Sequence, residues 1–274
     1  MLVRSKKIMN KCNVMMFAAG LGTRLRPYTN TNPKPALPLL QIPLGYYSLP
    51  YLEKIEIDSF VVNTFHLAEQ VHDLYSTINP AVQFSDETDF IKGSGGGLKQ
   101  AEKIFNSHIP ILTMNADEIF FTAETDFLNN ALNTHSTNKN FATLIVTEHP
   151  EAGHKFGAIW CENNKVIHIG KDKPNDTAKP WHFIGLQFLS TEILNQIPQD
   201  QETNIFYDVL IHQLKSQNIC IYPIKCDWYE VGNITDYQLA KAEIRKNLKM
   251  NSIYQKQFEK LQLLPKSDLS DLTE

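Results

Sequence analysis

The first half of the chain alternates short apolar runs with stretches of amphipathic pattern. Apolar runs of strand length occupy residues 14–18, 59–64, 81–85 and 109–114. Over residues 67–78 the apolar side chains recur every three or four positions, which predicts a helix, and a cluster of glycines opens a second predicted helix over residues 98–105. Strands that alternate with helices predict a parallel sheet covered by helices on both faces.

The pattern changes in the second half of the chain. Apolar runs at residues 157–161 and 165–170 flank Glu162-Asn163-Asn164, which predicts a hairpin. A last helix is predicted to begin at Thr235, with Gln238 completing a capping box. The remaining predicted elements are strands at 181–189 and 219–224 and helices at 46–55 and 204–214. Because no repeat or low-complexity linker interrupts the chain, these elements are expected to extend the same α/β unit.

Composition and charge exclude several classes of protein. The chain of 274 residues is 42% hydrophobic and 20% charged, which excludes a wholly disordered chain. A net charge of −4 gives no broad attraction for DNA or RNA, although it allows a local basic pocket for a phosphate ligand. No apolar run approaches the ~18 residues of a membrane-spanning helix. We therefore expect neither nucleic-acid nor membrane partners.

The cysteines indicate a reducing compartment. They form no CxxC pair, and the sequence contains no HExxH motif. This argues against a zinc site and against a disulfide framework, so reduced thiols in the cytoplasm are the simplest interpretation. The four cysteines are Cys12, Cys161, Cys220 and Cys226.

The first predicted strand runs into a loop that combines glycine with basic residues. Backbone N–H groups around Gly20 and Gly22 can hold phosphate oxygens. Arg24 adds a fork of hydrogen-bond donors and Lys34 adds a point charge. A dinucleotide-binding GxGxxG motif would need glycine where Leu25 stands, and a P-loop would need GK[ST], so both motifs are excluded. A simple tight turn is the alternative for the Gly-x-Gly taken alone.

A family resemblance rests on several segments along the chain, among them Val62-Asn63 with His66, and Phe156-Gly157. Residues 18–38 (AAGLGTRLRPYTNTNPKPALP) resemble the opening motif of the sugar-1-phosphate nucleotidyltransferases, in which GxGTR is followed by PK. Residues 94–97 (SGGG) resemble a motif of the short bacterial enzymes that act on N-acetylmuramate 1-phosphate or mannose 1-phosphate. Three further segments extend the resemblance to about residue 240: Asn115-Ala116-Asp117, Asp172-Lys173-Pro174 and Trp228-Tyr229-Glu230-Val231-Gly232.

The resemblance implies an architecture. It implies a three-layer Rossmann-like α/β nucleotidyltransferase fold with a mixed, mainly parallel sheet. The catalytic domain is expected over residues 9–250 and a C-terminal helical and polar tail over residues 251–274, of which the part after Leu264 is expected to be frayed.

The resemblance also implies an activity and a set of site residues. The activity is Mg²⁺-dependent transfer of a nucleotidyl group from a nucleoside triphosphate to a sugar 1-phosphate, giving a nucleoside-diphosphate sugar and pyrophosphate. The implied catalytic residues are Arg24, Lys34 and Lys173. The implied nucleotide-binding residues are Ala19, Gly20, Gly22, Thr23, Gly95, Gly96 and Asn115. The implied metal ligands are Asp117 and Glu230.

Several departures from the family pattern keep other interpretations open. Glu230 stands where the family has aspartate, Ala116 where it has glycine, and Phe183 where many relatives have a sugar-binding asparagine. One alternative is a phosphocholine-type cytidylyltransferase. Another is a catalytically impaired regulatory protein that binds a nucleoside-diphosphate sugar. Asp86 and Glu87 lie where the family's base-reading loop begins, and a solvated face is the alternative for both. The base, the sugar and the possibility of a homo-oligomer stay open.

Overall fold

The computed structural model describes residues 11–273. The predicted domain start at residue 9 lies outside the described residues, as does Glu274 at the end of the predicted tail.

A mixed sheet of nine strands forms the centre of the molecule. Its strands are β1 (Lys11–Phe17), β4 (Glu56–Thr64), β5 (Gln83–Asp86), β6 (Ile111–Asn115), β8 (Ala142–Thr147), β9 (Ala158–Glu162), β10 (Lys165–Gly170), β11 (Lys179–Leu189) and β12 (Ile219–Pro223). Their order in the sheet is β5-β4-β1-β6-β11-β8-β12-β10-β9. Only β10 and β11 run against the direction of the other strands in this sheet. The predicted mixed, mainly parallel sheet is therefore confirmed.

Helices and two small sheets complete the fold. The α-helices are α1 (Ala68–Ser76), α2 (Gly93–Gln100), α3 (Phe127–Thr137), α4 (Ile211–Gln213), α5 (Ile234–Asn247) and α6 (Ser252–Leu261). The small sheets pair β2 (Pro38–Leu39) with β3 (Ile42–Pro43), and β7 (Ile119–Phe121) with β13 (Asp227–Tyr229). A π-helical segment, Ile205–Leu210, runs directly into α4.

Each face of the main sheet carries its own hydrophobic core. Along β1, Val14 and Met16 belong to one core cluster, whereas Met15 between them belongs to the other. Side chains that alternate along a strand point to opposite faces of the sheet, so this assignment shows that both faces are buried. The implied three-layer α/β arrangement follows from it.

Several local predictions need correction. The stretch predicted as a helix over residues 46–55 forms two 3₁₀ segments, Leu44–Tyr46 and Leu49–Lys54, and Pro50 lies at the start of the second. Helix α5 is capped by Asn233, whose side-chain oxygen accepts from the Asp236 N–H at 2.9 Å, so the predicted capping box at Thr235 is wrong. The prediction also missed α3 and β8, whereas α6 lies in the expected helical tail.

The polar tail is ordered, so the expectation of a frayed end is wrong. Leu272 is only 2% exposed and belongs to one of the two large cores. Its carbonyl accepts from Gln238 Nε2 at 2.7 Å, and Asp271 forms an ion pair with Lys241 at 3.4 Å. A single leucine in an otherwise polar segment gives little periodicity, and it is the surface offered by α5 that makes its burial possible.

We expect Asn233→Ala to lower the free energy of unfolding by about 1 kcal/mol, because it removes the oxygen that caps α5. Urea denaturation monitored by circular dichroism would measure the change. Thr235→Ala is the matched control and should change stability by less than about 0.5 kcal/mol, since Thr235 is exposed and does not cap the helix. A larger loss for Thr235→Ala than for Asn233→Ala would contradict the assigned cap.

Candidate active site

A cleft of about 230 Å³ opens where the parallel strands of the first half end. Strand β1 pairs in parallel with both β4 and β6, so the carboxyl ends of all three meet at one edge of the sheet. Open α/β sheets bind ligands at this edge. The residues that line the cleft are Phe17, Ala19, Gly20, Asn63, Glu87, Ile91, Gly93, Ser94, Asn115 and Asp117.

The signature loop, residues 18–38, follows β1 and makes a tight turn at Gly22. Gly22 has φ of +61°, and a β-carbon there would lie 2.7 Å from Thr29 Cγ2. The Thr29 hydroxyl also donates to the Gly22 carbonyl at 3.0 Å. Glycine is therefore required at this turn for both its backbone angle and the space beside it. Of the predicted nucleotide-binding residues in the loop, Ala19 and Gly20 line the cleft, whereas Thr23 is exposed and does not.

An ion pair connects the signature loop to the end of β6. The Lys34 ammonium donates to Asp117 Oδ2, and the two side chains are 14% and 34% exposed. The structure thus brings together one predicted catalytic residue and one predicted metal ligand, which are 83 positions apart in the chain. The partial burial reduces solvent screening of this pair.

The side chains of Arg24 and Glu230 both lie beside Gly232. A β-carbon on Gly232 would lie 2.3 Å from Glu230 Oε1 and 2.7 Å from Arg24 Nη2, so the absence of a side chain there makes room for both. The pairing of Tyr229 with Ile119 in the β7–β13 sheet brings the segment that carries Glu230 alongside the one that carries Asp117. The two predicted metal ligands therefore lie on adjacent antiparallel segments.

These two carboxylates fit the requirements of Mg²⁺. Magnesium usually takes one or two protein carboxylates and completes its shell with water and substrate phosphates. Glu230 has no hydrogen-bond or ion-pair partner among the described residues, so both of its oxygens are available, while Asp117 uses Oδ2 for Lys34. Within residues 11–273 no group of three or more acidic, histidine or cysteine side chains is arranged to hold a metal. The two carboxylates thus suit a metal ion whose other ligands are water and the phosphates of the substrate.

Glu118 is a site residue that the sequence reasoning missed. Its carboxylate accepts from Asn115 Nδ2 and from Trp228 Nε1, both at 2.8 Å. Burial and the negative charge of Asp117 raise the pKa of Glu118 to about 7. The side chain lies against Gly185 of β11, where φ is +79° and a β-carbon would come within 2.2 Å of Glu118 Cγ. An acidic residue directly after Asn-Ala-Asp was the available signal.

A second feature beside the cleft is a buried pair, Asn63 and Glu87, whose contact the sequence did not predict. Asn63 accepts from the Ala18 N–H at 2.9 Å and donates to Glu87 Oε1 at 2.7 Å. The Lys92 N–H donates to Glu87 Oε2, also at 2.7 Å. Glu87 is only 4% exposed, and this burial raises its pKa. Of the two acids at the start of the implied base-reading loop, Glu87 is therefore the one that lines the cleft, while Asp86 is exposed.

Gly95 and Gly96 do not line the cleft. They lie inside α2, and their N–H groups both point to the Thr203 carbonyl, at 2.7 and 3.3 Å. A β-carbon on Gly95 would lie 2.8 Å from Thr203 Cγ2, and one on Gly96 would lie 2.5 Å from the Gln201 carbonyl oxygen. The glycines thus allow α2 to pack against this neighbouring segment. The neighbouring Gly93 and Ser94 line the cleft instead.

Lys173 lies apart from the other predicted catalytic residues. It is on the exposed loop after β10, and its ammonium donates to the Asp176 carbonyl at 3.2 Å within that loop. Two of the departures from the family pattern also lie away from the cleft lining. Ala116 is 2% exposed and packs in the core, and Phe183 packs edge to face on Phe206 with ring centroids 4.7 Å apart.

Four rings form a cluster next to Glu118. They are those of His149, Phe156, His182 and Trp228, and their centroids are 4.1–5.8 Å apart. His182 is buried, and neither of its ring nitrogens has a hydrogen-bond partner among the described residues. Burial lowers the pKa of His182 to about 4, so its imidazole is neutral at pH 7.

The fold and the site define an α/β protein with a cleft lined partly by polar side chains at the edge of its sheet. A family model described as nucleotidyl transferase matches residues 13–247. The chain therefore belongs to the nucleotidyltransferase family, and the resemblance found in the sequence is confirmed.

Two relatives illustrate the similarity. UTP–glucose-1-phosphate uridylyltransferase from Synechocystis is 28% identical over 242 residues, which cover 81% of this chain and 61% of that protein. The catalytic subunit beta of mannose-1-phosphate guanylyltransferase from Drosophila melanogaster is 24% identical over 258 residues, which cover 92% of this chain and 66% of that protein. The chain thus spans less than two thirds of the length of these relatives.

Solved structures support the same fold. A UDP-glucose pyrophosphorylase complexed with UDP-glucose aligns with a TM-score of 0.71 at 22% identity and covers 86% of this chain and 99% of its own. An inositol-1-phosphate CTP transferase from T. maritima aligns with a TM-score of 0.66 at 16% identity and covers 93% and 96%. In the described part of the chain, no helix has the length and apolar character needed to cross a membrane.

We expect His182→Phe to stabilise the protein at pH 7. The substitution removes two buried polar atoms without partners, which cost about 1–3 kcal/mol, and each kcal/mol corresponds to roughly 2–4 °C in Tm. His149→Phe, at a half-exposed position of the same cluster, is the control and should change Tm less. Thermal melts would measure both, and a fall in Tm for His182→Phe would contradict this account.

The same variant should also lose less stability in acid. Because the pKa of His182 is lower in the folded protein than its usual 6.5, the unfolded chain binds more protons between about pH 6.5 and pH 4. The free energy of unfolding therefore falls as the pH drops through this range, by up to about 3 kcal/mol from this group. Urea denaturation at pH 7 and pH 5 would show the loss, and an equal loss in His182→Phe would contradict it.

Proposed function

We propose that the protein transfers a nucleotidyl group from a nucleoside triphosphate to a sugar 1-phosphate. The observation that carries the proposal is the convergence of Lys34, Asp117 and Asn115 at the cleft, together with Arg24 and Glu230 on adjoining segments. Family membership supports the reaction class. The names of the two relatives, a glucose-1-phosphate uridylyltransferase and a mannose-1-phosphate guanylyltransferase, support a sugar 1-phosphate as the acceptor.

In this reaction an oxygen of the sugar phosphate attacks the α-phosphorus of the triphosphate. A new P–O bond forms there while the bond from the α-phosphorus to the oxygen that bridges to the β-phosphate breaks, and pyrophosphate leaves with that oxygen. The protein contributes mainly by positioning the reactants and neutralising charge. Arg24 and Lys34 suit the second task, because Lys34 pairs with Asp117 of the cleft lining and Arg24 lies beside Gly232, next to Glu230, so each offers a cation to the leaving pyrophosphate.

The remaining residues bind and orient the substrates. The backbone at Ala19 and Gly20 and the side chains of Asn115 and Ser94 offer polar groups to the nucleotide. Asp117 and Glu230 would hold Mg²⁺, which when bound neutralises phosphate charge. Lys173 is proposed to hold the phosphate of the acceptor, and its place on an exposed loop lets it approach when the acceptor binds.

The proposed partners are small molecules. The four cysteines are free thiols, which agrees with a reducing compartment, and we propose that the protein acts on cytoplasmic nucleotides. The side-chain geometry does not favour uracil over guanine, because Glu87, the acid of the implied base-reading loop that lines the cleft, already uses both of its oxygens within the protein.

The first experiment is a pyrophosphate-release assay with Mg²⁺. Each of the four ribonucleoside triphosphates and dTTP is paired with several sugar 1-phosphates and with phosphocholine. Release that requires one triphosphate and one sugar 1-phosphate together would support the proposal and identify both substrates. Release with phosphocholine alone would overturn the acceptor class. No release from a protein that still binds a nucleoside-diphosphate sugar in a calorimeter would instead favour a regulatory binding protein.

We expect Asp117→Asn to lower kcat by more than about 100-fold, because it removes a charge that the site uses to organise Lys34 and the metal. The variant should keep its fold, since the side chain is at the cleft and not in a core. Asp126→Asn, which alters only an exposed ion pair with Lys54, is the matched control and should leave kcat unchanged. Near-normal turnover by Asp117→Asn would remove Asp117 from the proposed role.

We expect Glu230→Asp to keep Mg²⁺-dependent activity and Glu230→Gln to lose most of it. Aspartate retains the charged oxygens that a divalent cation needs, whereas glutamine keeps the length but not the charge. Initial rates over a Mg²⁺ titration would separate the two effects. If Glu230→Gln matched the unsubstituted protein at every Mg²⁺ concentration, Glu230 would have no part in metal binding.

A further inference from the structure

The tail segment, residues 265–273, runs across the hairpin that follows the signature loop. This hairpin joins β2 to β3, and its two turn residues, Leu40 and Gln41, have φ of 52° and 68°. Two-residue turns with both φ angles positive favour Asn-Gly, because side chains beyond Cβ crowd the left-handed region. Such a conformation persists in non-glycine residues when neighbouring structure holds it in place.

The tail segment supplies the contacts that hold this turn. The Gln41 N–H donates to Asp271 Oδ1 at 3.0 Å, and the Gln41 carbonyl accepts from the Ser267 N–H at 3.0 Å. Both backbone polar groups of one left-handed residue are thus satisfied by a segment some 230 positions away in the chain. The turn therefore depends on the tail for its hydrogen bonds.

A second set of contacts reaches the signature loop itself. The Tyr28 hydroxyl donates to the Thr273 carbonyl, and Tyr28 stands between Arg24 and Lys34 in the chain. The Tyr237 hydroxyl donates to the Pro38 carbonyl at 2.5 Å and accepts from the Leu272 N–H at 3.3 Å. The tail is therefore connected to the middle and to the end of the loop.

The tail has a firm attachment of its own on α5. Leu272 is buried, its carbonyl accepts from Gln238 of α5, and Asp271 pairs with Lys241 of α5 at 3.4 Å with both side chains only 16% exposed. Helix α5 begins four positions after Glu230. The tail segment consequently joins the helix that follows one proposed metal ligand to the loop that carries Arg24 and Lys34.

We propose that the tail segment positions the signature loop for nucleotidyl transfer, with Asp271, Leu272 and Tyr28 as its positioning residues. None of the three touches the cleft lining, so they act through the loop. The effect of the tail on catalysis rests on the proposed function, whereas its effect on the conformation of the loop does not. Without the attachment, the turn at Leu40-Gln41 loses its hydrogen-bond partners and the loop adopts more conformations. A smaller fraction of the molecules then holds Arg24 and Lys34 in the positions that the triphosphate needs.

The structural test is hydrogen–deuterium exchange of the loop in the absence of substrates. Asp271→Ala should raise exchange in peptides that cover residues 23–41 by about tenfold, while peptides from β4, β6 and β8 stay unchanged. Asp268→Ala, an exposed acid of the same segment, is the matched control and should exchange like the unsubstituted protein. Tyr28→Phe is the second variant if Asp271→Ala does not fold, because it removes only the bond to Thr273.

The kinetic test separates positioning from general destabilisation. Asp271→Ala should raise KM for the triphosphate and lower kcat, each by up to about tenfold, with KM for the acceptor little changed. Asp271→Asn keeps an oxygen for the Gln41 N–H and should restore most of both values. Lys241→Met breaks the ion pair but leaves that hydrogen bond, and it should affect the loop less than Asp271→Ala.

The outcomes distinguish this proposal from the proposed function. Unchanged exchange of residues 23–41 in both Asp271→Ala and Tyr28→Phe would overturn the positioning role, whatever the activity. An increase spread evenly over the molecule with a matching fall in Tm would show a merely structural role and would also overturn it. A protein that is inactive with every substrate pair but shows the localised increase would keep the tail's control of the loop while overturning the nucleotidyl-transfer activity.

Discussion

The ion pair between Lys34 and Asp117 is the contact on which the arrangement of the site depends. It joins the loop after β1 to the end of β6, two strands that lie side by side and in parallel. A lysine and an aspartate 83 positions apart meet only because the sheet is assembled in this order. The pair is partly buried in the cleft, and it also fixes the direction in which the Asp117 carboxylate points. A fixed direction is what the carboxylate needs to bind a metal beside the substrate phosphates.

Three glycines make room for other side chains around this pair, and two of them make room for charged ones. Gly22 allows the signature loop to turn back on Thr29, Gly185 leaves space for Glu118, and Gly232 leaves space for Arg24 and Glu230. In each case a β-carbon would lie 2.2–2.7 Å from an atom of the site. The site is therefore built by charged side chains that pack directly on bare backbone. At Gly185 the charged side chain is that of Glu118, and at Gly232 the charged side chains are those of Glu230 and Arg24.

Strands and turns could be predicted from the sequence more accurately than the neighbours of glycines and the caps of helices. Strands such as β1 and β4 could be predicted because their apolar runs are continuous, and the hairpin of β9 and β10 because Asn163 and Asn164 suit its turn, where both have positive φ. The glycines of α2 were predicted to contact a nucleotide, whereas the structure packs them against Thr203 and Gln201, because a sequence does not show which neighbour approaches a missing side chain. Asn233 was overlooked as a cap because Thr235 and Gln238 matched the capping pattern equally well.

By itself the sequence determined the family, the α/β class and four of the residues that line the cleft, because the motifs that carry them are short, local and chemically distinctive. These four are Ala19, Gly20, Asn115 and Asp117. Only the tertiary structure decided which of the predicted residues meet. It paired Lys34 with Asp117, left Lys173 on a separate loop, buried Glu87, bound Glu118 to Asn115 and Trp228, and ordered a polar tail through one leucine. The physical reason is that burial and charge pairing depend on distances between segments far apart in the chain, and the packing of the sheet and its helices sets those distances.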